Sequence, residues 1–106
     1  MTSAAETMEG HEQRAHLRLT LQAEGRLSEP YSGNHGIELL DISATGARIA
    51  TFRRFHPGQA VYLTVDQIRA IKCEVRWARA GEIGVAFERP LHVAVLEHLA
   101  TAHRAR

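Results

Sequence analysis

The sequence predicts a mainly β domain: a six-stranded antiparallel β-barrel with a C-terminal α-helix and a flexible N-terminal arm. Six short segments alternate apolar and polar residues at period two, and turn-forming residues separate them. One apolar stripe at helical spacing follows the last of these segments. A chain of 106 residues, 44% of them hydrophobic, is long enough to bury one core. Short strands in such a small domain favour a closed or nearly closed barrel, since closure removes unpaired sheet edges.

The N-terminal region and the first two strands come first along the chain. Residues 1–13 are polar and carry three glutamates with no lysine or arginine, which predicts a mobile tail before a folded domain at 14–104. Apolar residues alternate with polar ones over 17–24 and predict the first strand. Turn-forming residues at 29–36 are expected to end this strand, and a second strand is predicted at 37–42.

Four more strands follow at similar spacing. Residues 44–46 connect the second strand to a third at 47–52, and a loop with a Pro-Gly turn at 53–58 follows it. The later strands are predicted from alternating apolar residues at 61–65, 71–77 and 83–87. In the fifth strand this alternation places Trp77 on the apolar face together with Cys73.

A helix is predicted at the C-terminal end, over residues 90–104. Pro90 suits the first helical position, because its φ is fixed and the N–H that it lacks would have no helical partner there. The apolar side chains that follow share one face of a helix: Leu91, Val95, Leu96 and Leu99. This helix is expected to plug or flank the barrel.

The composition excludes several classes of protein. The formal net charge of +1 is too small for a protein that coats DNA through many phosphate contacts. No apolar run approaches the roughly 20 residues of a membrane-spanning helix, and the N-terminus lacks the charged and apolar regions of a signal peptide. The single cysteine, Cys73, has no partner for an internal disulfide, so a reduced, cytoplasmic location is expected.

Metal and catalytic sites find little support in the residues. His92, His98 and His103 lack the i, i+4 spacing that places two imidazoles on one helix face. The sequence also lacks a nucleophile elbow, a phosphate-binding P-loop and paired carboxylates in a loop. It therefore predicts a binding protein with no metal, no cofactor and no enzymatic activity.

Two short motifs carry the chemistry of the predicted site: Arg14-Ala-His-Leu-Arg18 and Asp41-Ile-Ser-Ala-Thr-Gly46. A guanidinium group can donate two parallel hydrogen bonds to phosphate oxygens or to guanine O6 and N7, and a carboxylate can accept from guanine N–H groups. Ser43 shares one side of its strand with Asp41 and can bond a phosphate or a base edge. Gly46 allows a close backbone approach. The two motifs together predict a receptor for an anionic guanine nucleotide.

Each motif also has a purely structural interpretation. Arg14 and Arg18 have the spacing of a solvated pair on one face of a short helix. Asp41 and Ser43 are residue types that cap a tight turn between two strands. Neither motif alone decides between the structural role and the binding role.

Taken together, the two motifs and the predicted barrel resemble the PilZ domain, a bacterial receptor module for cyclic di-GMP, over about residues 12–104. The resemblance implies that both motifs bind this ligand, through Arg14, Arg18, Asp41, Ser43 and Gly46. It also implies an N-terminal arm that folds over the ligand and changes the contact with an unidentified effector protein. Binding of DNA or RNA and insertion into a membrane are not expected.

Four other residues are candidates for additional ligand contacts. Gln13 stands before the first motif, where some PilZ domains carry a third arginine and bind an intercalated ligand dimer. His16 lies within the arm. Arg48, just after the second motif, is interpreted either as a phosphate contact or as a plain surface residue. Trp77 is interpreted either as a ligand contact or as packing in the core or at its rim.

Two other functions stay open at the level of the sequence. A PilZ-like scaffold would bind a partner protein and no nucleotide, although the intact motifs argue against it. A small barrel that binds single-stranded nucleic acid needs several exposed aromatic residues and a basic groove. Aromatic residues make up only 6% of this chain, which disfavours that second function.

Overall fold

A computed structural model describes residues 18–31 and 33–104, which form a closed antiparallel barrel followed by one helix. The strands are β1 (Leu19–Glu29), β2 (Gly33–Ile42), β3 (Gly46–Ala50), β4 (Ala60–Val65), β5 (Ile68–Arg79) and β6 (Glu82–Phe87), and the helix is α1 (Val93–Ala102). Neighbouring strands follow the order β1-β2-β3-β6-β5-β4, and pairing of β4 with β1 closes the barrel. The predicted six-stranded antiparallel barrel and C-terminal helix are confirmed, and the predicted N-terminal tail and arm lie outside the described residues, apart from Arg18.

The interior of the barrel holds the apolar side chains that period-two alternation predicts. The largest fully buried strand residues are Leu21, Leu27, Leu39, Ile42, Ile49, Val61, Leu63, Val65 and Ile83. Burial of each such side chain stabilises the fold by roughly 1.5–3 kcal/mol relative to exposure. This core makes the barrel wall a rigid support for the side chains on its outer face.

One hairpin differs from the sequence prediction. β1 continues to Glu29 and β2 begins at Gly33, and these two residues pair across the hairpin. The prediction of a turn over 29–36 was wrong at both ends, because five of these eight residues, Glu29 and 33–36, pair in the β1–β2 ladder. The turn itself includes Pro30 and Tyr31.

The connection between β3 and β4 closes one end of the barrel. The Phe55 side chain is buried beneath this connection and meets the ring of His35 edge-on, with 6.1 Å between the ring centroids. Glu29 fixes the connection, since its carboxylate accepts from Arg53 Nε at 2.9 Å and from the amide of Gln59. The residues around this closed end are therefore held in place by the core and by Glu29.

The helix closes the other end of the barrel. Leu96 and Leu99 of α1 are buried in the core, and the backbone N–H of Gln22 donates to the carbonyl of His103 at 2.8 Å. The apolar stripe predicted for this helix thus packs against the barrel.

The helix begins at Val93 rather than at Pro90, which the sequence pattern had favoured. The N–H of Leu91 donates to the carbonyl of Ala44, which holds this part of the chain against the β2–β3 turn. His92 then has extended backbone, and its Nδ1 accepts from a backbone N–H of the first helical turn. A histidine N-cap therefore sets the start of α1.

Among the register irregularities of the barrel, two β-bulges determine that Asp41 and Trp77 face outward. One interrupts the register of β2 between Leu39 and Asp41, and another interrupts β5 between Val75 and Trp77. An extra residue in a strand reverses the alternation beyond it. Leu39 and Val75 point into the core, whereas Asp41 and Trp77 lie on the outer face. The prediction that Trp77 shares the apolar face with Cys73 was therefore wrong.

Candidate functional site

A row of five residues, one from each of five adjacent strands, crosses the outer face of the barrel. The strand register pairs Thr20 with Asp41, Asp41 with Arg48, Arg48 with Gly84, and Gly84 with Trp77. We call these five residues the outer row. It brings together the carboxylate of the second motif and two of the candidate contact residues.

The carboxylate of Asp41 is the most enclosed charged group of the outer row. Its side chain is 8% exposed, and each of its oxygens accepts a hydrogen bond from an arginine. Arg18 Nη1 donates to Oδ1 at 2.6 Å, and Arg48 Nε donates to Oδ2 at 2.8 Å. A carboxylate withdrawn from water needs such partners, and it has about four acceptor positions in total. Asp41 therefore holds both guanidinium groups and retains acceptor capacity.

Arg48 extends this network to the next strand along the barrel. Its Nη1 donates to Glu82 Oε1 at 3.2 Å, so it bridges two carboxylates. The hydrogen bond from Arg48 to Asp41 and the negative charge of that carboxylate raise the pKa of Arg48 above its ordinary value. The side chains of Arg18 and Arg48 are 59% and 40% exposed, so both cations still present surface to solvent.

Trp77 packs on the outer surface against Gly84. A Cβ atom at Gly84 would overlap the indole ring at Nε1 and Cε2, so only glycine leaves room for the ring there. The guanidinium carbon of Arg79 lies 5.0 Å from the centroid of the Trp77 ring, a cation–π arrangement. This end of the outer row is therefore an aromatic and cationic surface.

Ser43 and Gly46 belong to the tight turn between β2 and β3. The backbone N–H of Ser43 donates to the Gly46 carbonyl at 2.8 Å, and Ser43 Oγ accepts from the N–H of Thr45 at 3.3 Å. A Cβ atom at Gly46 would overlap the carbonyl oxygen of Val85 on β6. Both residues thus have a structural role in this turn, and direct contact with a ligand stays a prediction for them.

The model of the PilZ domain family matches residues 12–102, which is most of the chain. The chain belongs to the PilZ family. PilZ domains are binding and adaptor domains of the cyclic di-GMP-binding type. No curated protein matches this sequence, so the family model alone carries the assignment.

The structure places six of the expected site residues of this PilZ domain in two groups. Arg18, Asp41 and Arg48 are in direct contact, with Trp77 in the same row. Ser43 and Gly46 form the adjacent turn. The remaining candidates lie outside the described residues: Gln13, Arg14 and His16.

Three residues of this surface were missed by the sequence reasoning: Arg79, Glu82 and Gly84. Glu82 meets Arg48 because β3 pairs with β6, although 34 residues separate them along the chain. The isolated glycine within the alternating segment of β6 was the one local signal, since such a glycine often marks a close approach.

A cavity of about 680 Å³ adjoins the end of the outer row. It is lined by residues 51–57 of the β3–β4 connection and by residues 78–83 around the β5–β6 turn. Arg79 and Glu82 belong to its lining and also contact Trp77 and Arg48, respectively. The outer row therefore continues into a concave surface.

Two further observations concern membranes and metals. Within residues 18–31 and 33–104, no helix is both long enough and apolar enough to cross a membrane. Over the same ranges, no three side chains of histidine, cysteine, aspartate or glutamate form a group that could hold a metal ion.

Proposed function

We propose that this PilZ domain is a receptor for cyclic di-GMP, and that it binds the ligand over the outer row and thereby regulates an effector protein. The observation that carries this proposal is the enclosed Asp41 carboxylate, which holds Arg18 and Arg48 side by side on the surface. A salt bridge needed only for stability would not require two half-exposed guanidinium groups on one carboxylate, because exposed ion pairs contribute little.

The charges of this arrangement match those of the ligand. Cyclic di-GMP has two phosphodiester groups and two guanines, and Arg18 and Arg48 bind phosphate oxygens or guanine O6 and N7 through their remaining N–H groups. The free acceptor positions of Asp41 take the N1–H and N2–H₂ groups of one guanine. Adenine presents an acceptor at N1, so the same carboxylate disfavours an adenine nucleotide.

Trp77 and Arg79 supply a surface for stacking. A purine that stacks on this aromatic and cationic surface gains about 1–3 kcal/mol. The adjoining cavity of about 680 Å³ gives room for the rest of a dinucleotide beside the row. Stacking on Trp77 and Arg79 at one end of the outer row, and ion pairing with Arg18 and Arg48 toward the other end, fix the orientation of the ligand across the barrel.

The N-terminal arm completes the site in this proposal. Arg14 shares a motif with Arg18, which contacts Asp41 directly, so an arm that folds toward the ligand brings Arg14 to the second phosphate. Gln13 and His16 lie on the same arm and add contacts. The new position of the arm changes the surface that the effector protein meets.

Isothermal titration of the full chain with cyclic di-GMP tests the binding step. We expect a Kd in the micromolar range or below for the wild type, and binding abolished by Arg18→Ala or Asp41→Ala. Arg69→Ala and Glu97→Ala are matched controls, because both residues are exposed and belong to neither motif nor the outer row. An absence of heat at millimolar ligand would refute the proposal.

Affinity capture from a lysate of the source cells tests the regulatory step. The protein is immobilised with and without cyclic di-GMP, and the Asp41→Ala variant is the reference that does not respond to ligand. We expect an effector protein whose recovery changes with ligand for the wild type alone. Equal recovery in all arms would favour a scaffold that binds its partner independently of nucleotide.

A further inference from the structure

We infer that this chain forms a two-fold symmetric dimer through a groove beside Phe52, on a surface distinct from the outer row. The groove has a volume of about 400 Å³ and lies where β1, β2 and the end of β3 meet. We call it the Phe52 groove and define it by Glu24, Gly25, Gly36, Glu38 and Phe52.

Phe52 is the apolar contact that this surface offers. Its side chain is fully exposed and lies two residues after the end of β3, at the edge of the groove. One exposed aromatic residue is common on protein surfaces. A fully exposed aromatic residue beside a groove that it can enter on another molecule is a feature of interfaces.

The floor of the groove is open at Gly36, and the fold does not require glycine there. Gly36 lies within β2 without a positive φ, and a Cβ atom on it would meet nothing within 4 Å. Gly25 differs, since its Cβ atom would lie 2.6 Å from the carbonyl oxygen of Thr64. Glycine inside a strand weakens the strand and often marks the close approach of another molecule. Gly36 therefore leaves room for a side chain that comes from outside.

The charges around the groove point to a second copy of the chain. Glu24 and Glu38 are directly opposite each other on β1 and β2, and like charges in such a pair are destabilising. Neither makes an ion pair within the described part of the chain, and neither does Arg54, which is exposed in the connection just after Phe52. The Phe52 groove thus combines an exposed aromatic ring with two anions that lack an ion pair, and the exposed Arg54 lies two residues from that ring along the chain.

A patch with these properties is self-complementary, as a two-fold interface requires. In the dimer, Phe52 of each copy enters the groove of the other above Gly36. Arg54 of each copy then neutralises Glu24 and Glu38 of the other. No residue of the outer row lies in this contact, but Phe52 and Arg54 also line the cavity beside that row, so the dimer is tested without nucleotide.

Sedimentation velocity of the full chain without nucleotide, from about 1 μM to about 1 mM, tests the dimer. We expect a reversible monomer–dimer equilibrium that Phe52→Ala weakens by about 30-fold, the effect of losing a central aromatic contact. Tyr31→Ala is the matched control, because Tyr31 is also fully exposed but does not line the groove. Gly36→Val, which fills the groove and suits a strand, is expected to weaken the dimer while the monomer keeps its thermal stability.

A charge exchange keeps the proposal testable even if Gly36→Val fails to fold. The double variant Glu24→Arg/Glu38→Arg and the single variant Arg54→Glu each place like charges across the interface, so each variant is expected to be monomeric. An equimolar mixture of the two restores opposite charges at both contacts and is expected to form a heterodimer. A wild type that stays monomeric at every concentration, a mixture that stays monomeric, or an equal effect of Tyr31→Ala would overturn the proposal.

Discussion

Arg48 and Asp41 are direct cross-strand partners on β3 and β2, and Arg48 Nε donates to Asp41 Oδ2 at 2.8 Å. The other carboxylate oxygen holds Arg18, which lies just before β1 and belongs to the N-terminal motif. Asp41 therefore joins the barrel wall to the base of the arm. A ligand that changes the contacts of Asp41 therefore affects the barrel wall and the base of the arm together. Binding at the site can in this way change the protein surface that includes the arm.

Replacement of Arg48 tests its contribution to ligand binding and to stability separately from the contributions of the motif residues Arg18 and Asp41. Arg48→Ala removes a donor to the ligand and leaves Oδ2 of the enclosed Asp41 carboxylate without its partner. We expect the affinity for cyclic di-GMP to fall about tenfold or more, and the free energy of unfolding to fall because the enclosed carboxylate loses a hydrogen-bond donor. Isothermal titration and denaturant unfolding measure the two effects. Arg48→Lys keeps the positive charge but loses the planar guanidinium group. Its affinity for cyclic di-GMP is expected to lie between those of the wild type and Arg48→Ala.

The control for this comparison is Arg69→Ala, which removes an exposed arginine outside the network. It is expected to match the wild type in both measurements. If Arg48→Ala also bound cyclic di-GMP with wild-type affinity, Arg48 would be a surface residue rather than part of the site.

Asp41→Asn tests whether the carboxylate distinguishes guanine from adenine. The amide has nearly the same shape, but its NH₂ group donates where guanine also donates, and the anion that holds both arginines is lost. We expect a large loss of affinity for cyclic di-GMP and a smaller one for cyclic di-AMP, so that the ratio of the two affinities moves toward one. Competition titration measures this ratio. A ratio equal to that of the wild type would show that Asp41 only positions Arg18 and Arg48.

Gly84→Ala tests the aromatic end of the outer row. The new methyl group overlaps the indole of Trp77, so the ring must move away from its packing position against β6. Because Trp77 is the single tryptophan, its fluorescence reports this movement directly, and we expect a red shift together with weaker binding of cyclic di-GMP. Gly36→Ala is the control, since its methyl group enters open space. Unchanged binding of cyclic di-GMP after a clear spectral shift would show that Trp77 does not contribute to the site.

The sequence predicts the barrel well because its alternation reports local burial. Leu39, Ile49 and Leu63 follow period two and are fully buried. The same rule fails at Trp77, because one extra residue in β5 reverses the facing of everything beyond it. A bulge depends on how two strands pair, and no single segment reveals it.

The site was partly predictable for a similar reason. The two sequence motifs identified Arg18 and Asp41, which the structure brings into contact. Glu82 and Gly84 reach the same surface through the pairing of β6 with β3, which local spacing does not encode. The start of α1 at Val93 likewise depends on a hydrogen bond between Leu91 and the distant Ala44.

The thiol of Cys73 provides a test of the core that is independent of ligand. Cys73 is buried among apolar side chains, and burial raises its pKa to about 12. The thiolate fraction near neutral pH is then about a thousandfold below that of an exposed cysteine. We expect a thiol-specific reagent at pH 8 to label the native protein only on the timescale of unfolding, and to label it at once in denaturant. Rapid labelling of the native protein would contradict the closed barrel.

The raised pKa of Cys73 also fixes the sign of a pH effect on stability. The folded state holds this proton more tightly than the unfolded state, so the contribution is fully present below about pH 9 and is lost as the pH rises toward about 12. The free energy of unfolding of the wild type is therefore expected to fall more steeply over this interval than that of Cys73→Ala. Denaturant unfolding of both proteins at a series of alkaline pH values measures the difference, and parallel curves would mean that the thiol titrates equally in both states.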